Sequence, residues 1–571
     1  MMLVGMMSVG YAADTTPAPA DASITITNLD DGDTVNLYQV LHWVSGDGWR
    51  LTPAFSADET SGKAALNVEN VNKLIAPVEG QGTIELTKAD LEAIATYAKN
   101  NHLTPVNTSK TVSGTSYSFT TSGEDGAGMY LALVEPFKAG TIYNPMVVSA
   151  DYTPEGDGKN QNRTNTLSAL ANMGSSSVAK KETVTIEKTE PKITNDINDE
   201  YTFTISTTIP VYSASFSNTY FNISDTMSSY LSAVGGSLTI KDDDDGTVTP
   251  SSNTFAADVQ SFTIGFDDTF IKNLASPKHI TITYKAKLNV TAEQAKTLTN
   301  VHEENNKVTV EFPNNPKDDS GKTVLKDETR EYTFTIDGQI FGSENWETSE
   351  VIKVGLDQDG YPIEEVINYH SGETHAALNG ATFQLYTALN AAGTDVDTTK
   401  PYTNEVWDGS ITTANDGRLY MPGLDAGTYY LKELTAPAGY IKDQNYHTIN
   451  IAADITEKEY TEYYTIDAQG NVTWSSTQTE GSTAYTYKVP TLNSYTVTVD
   501  NSATTYTMTL QGPSISSVTA SQDDAEIVNT KGVELPSTGG MGTTILYVGG
   551  SILVILAAIL LITKRRMNAE D

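Results

Sequence analysis

The chain has 571 residues, too many for a single folding unit, and about three or four domains are expected. Its 72 acidic side chains against 35 basic ones leave a formal charge of −37, which repels nucleic acid and anionic lipid and excludes both as partners for the bulk of the chain. There is no cysteine, so thiol catalysis, disulfides and thiolate metal sites are excluded together.

In chain order, Met1 to Ala13 comes first, short and mostly apolar. It carries Gly10-Tyr11-Ala12, a small-x-small pattern suited to signal peptidase, so residues 1–13 are expected to be a signal peptide, without the usual basic n-region. A first domain is expected over 20–173. Ser23-Ile24-Thr25-Ile26-Thr27 alternates as a half-buried strand does. Thr87 to Ala98 reads as a helix, with Thr87 as its cap and Leu91, Ile94, Ala95 and Ala98 on one face.

The Ser-rich stretch Gly174 to Ser177 leads to a second domain over 178–316. Tyr201-Thr202-Phe203-Thr204-Ile205 and Ile280-Thr281-Ile282-Thr283-Tyr284 alternate there. The run Asp242 to Asp245 before Gly246 lacks the spaced ligands of an EF-hand and reads as a solvated turn. Asn314 to Gly321 reads as a linker. A third domain is expected over 322–532, where Tyr-Thr-Phe-Thr-Ile recurs at Tyr332 to Ile336 and Thr382 to Tyr386 alternates again. These patterns predict an all-β fold of tandem immunoglobulin-like β-sandwiches. The seven histidines are scattered, with neither His-Glu-x-x-His nor Gly-x-Ser-x-Gly, so no hydrolase, metal site or cofactor is expected.

At the end, Ile545 to Ile562 is an uncharged apolar run near the length a spanning helix needs, and Lys564, Arg565 and Arg566 follow. Leu535-Pro536-Ser537-Thr538-Gly539 stands just before it. Motif, apolar transmembrane helix and basic tail, over 535–571, resemble the cell-wall sorting signal of Gram-positive bacteria. The resemblance implies that a sortase cysteine attacks the carbonyl between Thr538 and Gly539, and that an amine releases the acyl-enzyme. That amine is either a wall peptide or a lysine of another subunit.

Tyr429-Tyr430-Leu431-Lys432-Glu433-Leu434-Thr435-Ala436-Pro437-Ala438-Gly439-Tyr440 resembles the pilin E-box of the collagen-adhesin B-type domain, and Ala381 to Tyr386 resembles that domain's early strand. The family joins a lysine to an asparagine through an internal isopeptide bond, assisted by a buried carboxyl. Burial lowers a lysine pKa and raises a carboxyl pKa, giving a neutral amine and an acid able to relay protons as ammonia leaves. The resemblance implies Glu433 as that carboxyl. It implies Lys353 as the amine, the sole lysine between Lys326 and Lys400, and Asn529, in Ile527-Val528-Asn529-Thr530, as its partner. Ile441 to Glu526 is long for such a domain and must hold extra strands.

Ile223-Ser224-Asp225-Thr226-Met227 resembles the acidic motif in the middle domain of major pilins. Lys188 and Asn306 are placed like its lysine and asparagine, with Asn305 as the register alternative. The first segment shows no comparable set. Family members carry an acceptor lysine in Tyr-Pro-Lys, which is absent here; Lys180 or Lys181 stands in the corresponding region. The whole plan resembles a sortase-assembled backbone pilin. It implies a shaft subunit, not an enzyme, joined through Thr538 to a lysine of the next copy; a monomeric wall-anchored adhesin is the alternative. Implied partners are a class C pilin sortase, a housekeeping sortase, other copies of the chain, minor pilins, peptidoglycan and a host ligand.

Overall fold

Alternation in the sequence becomes strand in nearly every stretch singled out. The computed structural model describes residues 21–44, 48–76, 84–122, 126, 128–150, 176–298, 300–317, 321–340, 350–357, 359, 361, 378, 380–413, 418–521, 523, 525–532 and 541–567. The expected signal peptide and the Thr538–Gly539 pair lie outside these residues.

The first segment holds β1 (Asp21–Thr27), β2 (Thr34–Val44), β3 (Gly48–Leu51), α1 (Glu69–Ile75), α2 (Lys88–Asn100), β4 (Ser116–Ser122), β5 (Gly128–Glu135), β6 (Thr141–Tyr143), β7 (Met146–Ala150), β8 (Ser176–Val178) and β9 (Lys181–Thr183). Sheets β4-β1-β8 and β3-β2-β5-β7 enclose one core, into which Ile24 and Ile26 point while Ser23 faces out. Helix α2 starts where its cap predicts. The Thr87 hydroxyl accepts from Asp90 N at 3.2 Å, and the Asp90 carboxylate accepts from Thr87 N at 2.7 Å, a reciprocal capping box. Ile94, Ala95 and Ala98 are its buried face. Helix α1, seven residues long, is too short for periodicity to announce.

The second segment holds β10 (Ile186–Thr189), β11 (Glu200–Ile209), β12 (Phe221–Met227), β13 (Leu231–Ala233), β14 (Thr239–Asp242), β15 (Ser252–Asn253), β16 (Ser261–Phe266), α3 (Asp268–Lys272), β17 (Lys278–Leu288), α4 (Ala292–Ala295) and β18 (Val301–Pro313). Its sheet β10-β11-β17-β13 faces a second sheet that begins β15-β16-β12-β18. The acidic run after β14 is a hydrogen-bonded turn, with Asp242 Oδ1 accepting from Gly246 N at 2.8 Å and Asp242 Oδ2 paired with Lys278 at 2.9 Å.

The third segment holds β19 (Lys322–Ile340), β20 (Val351–Leu356), β21 (Thr382–Tyr386), β22 (Ser410–Thr412), β23 (Arg418–Leu424), β24 (Gly427–Thr435), β25 (Tyr446–Ile466), β26 (Val472–Ser475), β27 (Thr483–Val499), β28 (Ser502–Gln511), β29 (Ser514–Ser521) and β30 (Ala525–Thr530). One finding differs from expectation. The strands on either side of the expected linker, β18 and β19, are antiparallel neighbours in one sheet, paired from Pro313↔Lys322 to Val301↔Phe334, while residues 318–320 between them lie outside the described residues. Pro, Asn, Asp and Gly punctuate linkers and hairpin turns alike, so only the pairing distinguishes them. The sheet therefore continues β15-β16-β12-β18-β19-β20-β30 across both segments. Leu325 of β19 packs in the second core, and Tyr332, Phe334 and Ile336 pack in the third.

The repeated Tyr-Thr-Phe-Thr-Ile lies in β11 and in β19, with Tyr, Phe and Ile inward in both. The two strands hold different places in their sheets, so the shared string reflects shared alternation. The long stretch after Ile441 supplies β25 to β29. Strands β25 and β27 form an antiparallel arm from Ile449↔Val499 to Tyr464↔Thr483. The outer half of the arm leaves the third core and lies on β19, where Lys326 Nζ sits 4.7 Å from the Tyr487 ring centre and 5.4 Å from that of Trp474.

The C-terminus is helical from Met541 to Met567, and Leu553 and Leu560 are open to solvent. Among the described residues, no helix is long and apolar enough to cross a membrane. The spanning role expected for Ile545 to Ile562 rests on the sequence.

Candidate functional site

Strand alternation turns Lys188 inward. On β10, Ile186 and Lys188 are buried while Glu187 and Thr189 face out. On β12, Phe221, Ile223, Asp225 and Met227 form the buried row. On β18, Glu304, Asn306 and Val308 do the same, and Asn305 lies between buried neighbours on the other face. Lys188 thus projects from one sheet toward Asp225 and Asn306 on the other. Its Nζ donates to Asn306 Oδ1 at 2.7 Å and to the Tyr284 hydroxyl at 2.9 Å, and it is ion-paired with Asp225. The Lys188 and Asp225 side chains are wholly buried. Burial pulls the Lys188 amine down and pushes the Asp225 carboxyl up, each opposed by the partner's charge. The backbone of Lys188 is also held, its N donating to Asp327 Oδ2 at 2.6 Å. Burial pushes Asp327 up to about 7.

The third segment builds a second cluster from different elements. Lys353 is on β20, which runs parallel to both β19 and β30. Lys353 pairs in register with Ile527, so Asn529, two residues further, shares its face. Glu433 comes from β24 in the other sheet, on the inward row with Tyr429 and Leu431. Lys353, Glu433 and Asn529 are each 0% exposed, which leaves no solvent to satisfy their charges and amides. Lys353 Nζ is 3.6 Å from Glu433 Oε1 and donates to Ile527 O at 3.0 Å. Asn529 Nδ2 donates to Glu433 Oε2 at 2.8 Å and to Ile441 O at 2.9 Å. Glu433 Oε1 and Asn529 Oδ1 are buried without a hydrogen-bond partner among the described residues. Burial holds the Lys353 amine down at about 8, against the pull of the Glu433 charge.

Each cluster places a lysine whose hold on its proton burial weakens near a carboxamide, with a carboxyl group beside it. Such a set can do acyl transfer on itself. The amine displaces ammonia from the amide, and the carboxyl moves the protons.

The remaining candidates sit apart. Lys180 is exposed, and Lys181 is ion-paired with Asp30 at 2.7 Å. In the first segment no lysine is buried among the described residues. Glu135 does gather Asn36 at 2.6 Å and Lys317 at 3.3 Å, but the Lys317 side chain is 37% exposed, so the dry setting of the other two sites is missing.

Tyr284 is the residue that sequence reasoning missed. It ends the alternating run Ile280 to Tyr284, and its inward position was legible. Nothing in the pattern separates a core tyrosine from one whose hydroxyl contacts Lys188, Asp225 and Asn306 together.

Three stretches match known families. Residues 20–181 match the T6 antigen Ig-like domain, residues 364–467 the prealbumin-like fold domain, and residues 527–569 the LPXTG cell wall anchor motif. The chain is 24% identical to the trypsin-resistant surface T6 protein of Streptococcus pyogenes serotype M6, with 95% of each covered. In fold it is similar to the T6 backbone pilin of serotype M6 Streptococcus pyogenes, with TM-score 0.50 and 19% identity over 90% of this chain and 98% of that one. The full-length major pilin SpaD from Corynebacterium diphtheriae is similar at TM-score 0.40 and 18% identity, over 74% of this chain and 88% of that one. With a match to the T6 antigen Ig-like domain first, one to the prealbumin-like fold domain in the third segment and one to the LPXTG cell wall anchor motif last, the chain is similar in make-up to sortase-assembled major pilins of the cell surface.

Proposed function

We propose that the chain is the shaft subunit of a covalently polymerised surface pilus, hardened by two internal isopeptide bonds, Lys188–Asn306 and Lys353–Asn529. The observation that carries this reading is the pair of sealed lysine–carboxyl–asparagine clusters upstream of a wall anchor. In each, the neutral amine attacks the asparagine Cγ, an amide forms and ammonia leaves. Asp225 and Glu433 carry the protons. The chain does this once, on itself, and turns over no substrate. In a fibre, bonds of this kind hold strands together whatever the noncovalent free energy, as disulfides do elsewhere.

Between subunits, the chemistry belongs to a sortase. Its cysteine thiolate attacks the Thr538 carbonyl and expels the Gly539 amine. A lysine amine of the next subunit then displaces the thiolate and leaves an amide. Lys180 is the better acceptor, being open to solvent where Lys181 is engaged by Asp30.

Two measurements test the reading. Wall extracts boiled in detergent are expected to show a ladder of covalent multimers; a single band would make the chain a monomeric wall-anchored adhesin. The intact mass of the chain is expected to fall short of the sequence mass by about 34 Da, one ammonia per bond. A mass equal to that of the sequence removes the internal bonds.

A further inference from the structure

The two clusters differ in how the carboxyl meets the departing nitrogen. In the third segment Glu433 touches both reacting groups, with Oε1 3.6 Å from Lys353 Nζ and Oε2 2.8 Å from Asn529 Nδ2. In the second segment the acid is an aspartate, one methylene shorter. Asp225 Oδ2 meets Lys188, and Oδ1 accepts from the Tyr284 hydroxyl at 2.9 Å. Asn306 Nδ2 donates not to the acid but to the Tyr284 hydroxyl, at 2.7 Å. That hydroxyl also accepts from Lys188 Nζ at 2.9 Å, so one oxygen contacts nucleophile, acid and leaving group. Phe203, stacked at 5.4 Å, and Phe262, edge-on at 5.0 Å, hold the ring in place.

Building on the proposed Lys188–Asn306 bond, we infer that Tyr284 is a catalytic residue for its formation, a proton relay that carries the acid's reach to the leaving nitrogen. Lys188 Nζ, neutral, adds to Asn306 Cγ, and the carbonyl becomes an oxyanion. The now cationic Nζ gives a proton to Asp225 Oδ2. Asp225, which starts as the acid with its proton on Oδ1 and the hydrogen bond to Tyr284 reversed, passes that proton to the Tyr284 oxygen as the hydroxyl turns its own proton to Nδ2. The Cγ–Nδ2 bond breaks, ammonia leaves with the electron pair, and the carbonyl re-forms. Asp225 ends protonated, as it began, and Tyr284 ends as the phenol. Burial beside Asp225 pushes the Tyr284 phenol well above its ordinary value, so the residue passes a proton only as it receives one. Glu433 needs no such relay, because it reaches Asn529 Nδ2 itself.

The test is Tyr284→Phe in the full chain, which keeps the stacked ring and removes only the oxygen. Both bonds are followed by digestion and mass spectrometry of the cross-linked peptides. Formation of Lys188–Asn306 is expected to slow by roughly 10²-fold or more, so that a species about 17 Da heavier persists. The Lys353–Asn529 bond in the same molecules is expected to be complete and reports that the chain has folded. Adding Asp225→Glu to Tyr284→Phe, so that the longer acid fills the space of the lost hydroxyl and reaches Nδ2 directly, is expected to restore much of the rate. A merely structural tyrosine would not be rescued that way. Bond formation in Tyr284→Phe at the wild-type rate overturns the relay, as does a double variant no faster than Tyr284→Phe alone. A wild-type chain lacking the Lys188–Asn306 peptide sinks the underlying bond, and shows it before any substitution is made.

Discussion

Lys188 Nζ and Asn306 Oδ1 lie 2.7 Å apart across the middle sandwich, on facing sheets, with the side chains of both buried. A protonated amine so placed would be held by Asp225, but burial works against the charged form of each partner. Replacing Asp225 with Ala takes away the group in contact with Nζ. The Lys188–Asn306 peptide is then expected to disappear from digests, and the shortfall of the intact mass from the variant's own sequence mass to shrink by about 17 Da. Glu433→Ala is expected to do the same for Lys353–Asn529 alone. A variant of either kind that still forms its bond at the wild-type rate refutes the role given to that carboxyl.

The titration of Lys353 gives a second prediction, visible only where the amine is left unreacted, as in Asn529→Ala. Folding holds this amine at about 8, below its ordinary 10.5. Between those values the unfolded chain binds a proton there that the folded chain does not. Stability therefore rises with pH across that window, and below 8 the group gives no slope. The full gain is about 3 kcal/mol, since each pH step of one between the two values contributes roughly 1.36 kcal/mol. Denaturant titrations of Asn529→Ala against Asn529→Ala/Lys353→Met, from pH 7 to 10.5, isolate the effect. A difference that stays flat or falls with pH contradicts it.

Load gives the third. With both bonds in place, force applied between Lys180 and Thr538 bypasses everything between Lys188 and Asn306 and between Lys353 and Asn529. The 46 residues from Lys307 to Ile352, mostly the β18–β19 hairpin, are the longest stretch still able to extend. Single-molecule pulling on these two points is expected to release no step longer than roughly 150 Å, the span of that many extended residues. Glu433→Ala adds Val354 to Val528 to the extensible length and is expected to bring much longer steps. Long steps in the wild-type chain would show that the load path is not closed.

The acceptor gives the fourth. Lys180→Ala is expected to collapse the multimer ladder to a single band, whereas Lys181→Ala, which removes only the contact with Asp30, leaves it. The surface ion pair it breaks is worth about 1 kcal/mol or less, so folding should survive. A ladder that survives Lys180→Ala but not Lys181→Ala reverses the assignment, and one that survives both places the acceptor elsewhere.

Much of the site was legible because its residues sit on strands with a period of two. Ile186 and Lys188 share a face, as do Ile223 and Asp225, so an inward lysine and an inward aspartate can be read from local pattern once a motif draws attention to them. Asn305 and Asn306 could not be separated that way, since both neighbour a strand; the pairing Met227↔Asn306 and the buried row of β18 separate them. The stretch from Asn314 to Gly321, between β18 and β19, reads as a linker for a similar reason. Turn chemistry says where a chain reverses or loosens, not whether the next strand returns along the last.

The order of β-rich body, sorting motif, apolar run and basic tail is written in the sequence, because anchoring signals are recognised as short linear stretches. So is the alternation that makes strands and the cap that starts α2, since both depend on residues only a few places apart. Which strands become neighbours was decided by tertiary structure alone. Lys188 meets Asn306 and Tyr284, and Glu433 meets both Lys353 and Asn529, across separations of 80 or more residues that no local period encodes. The dryness that makes an amine and an amide reactive was likewise decided there, because removal from water belongs to the packed sandwich as a whole and not to any one of its strands.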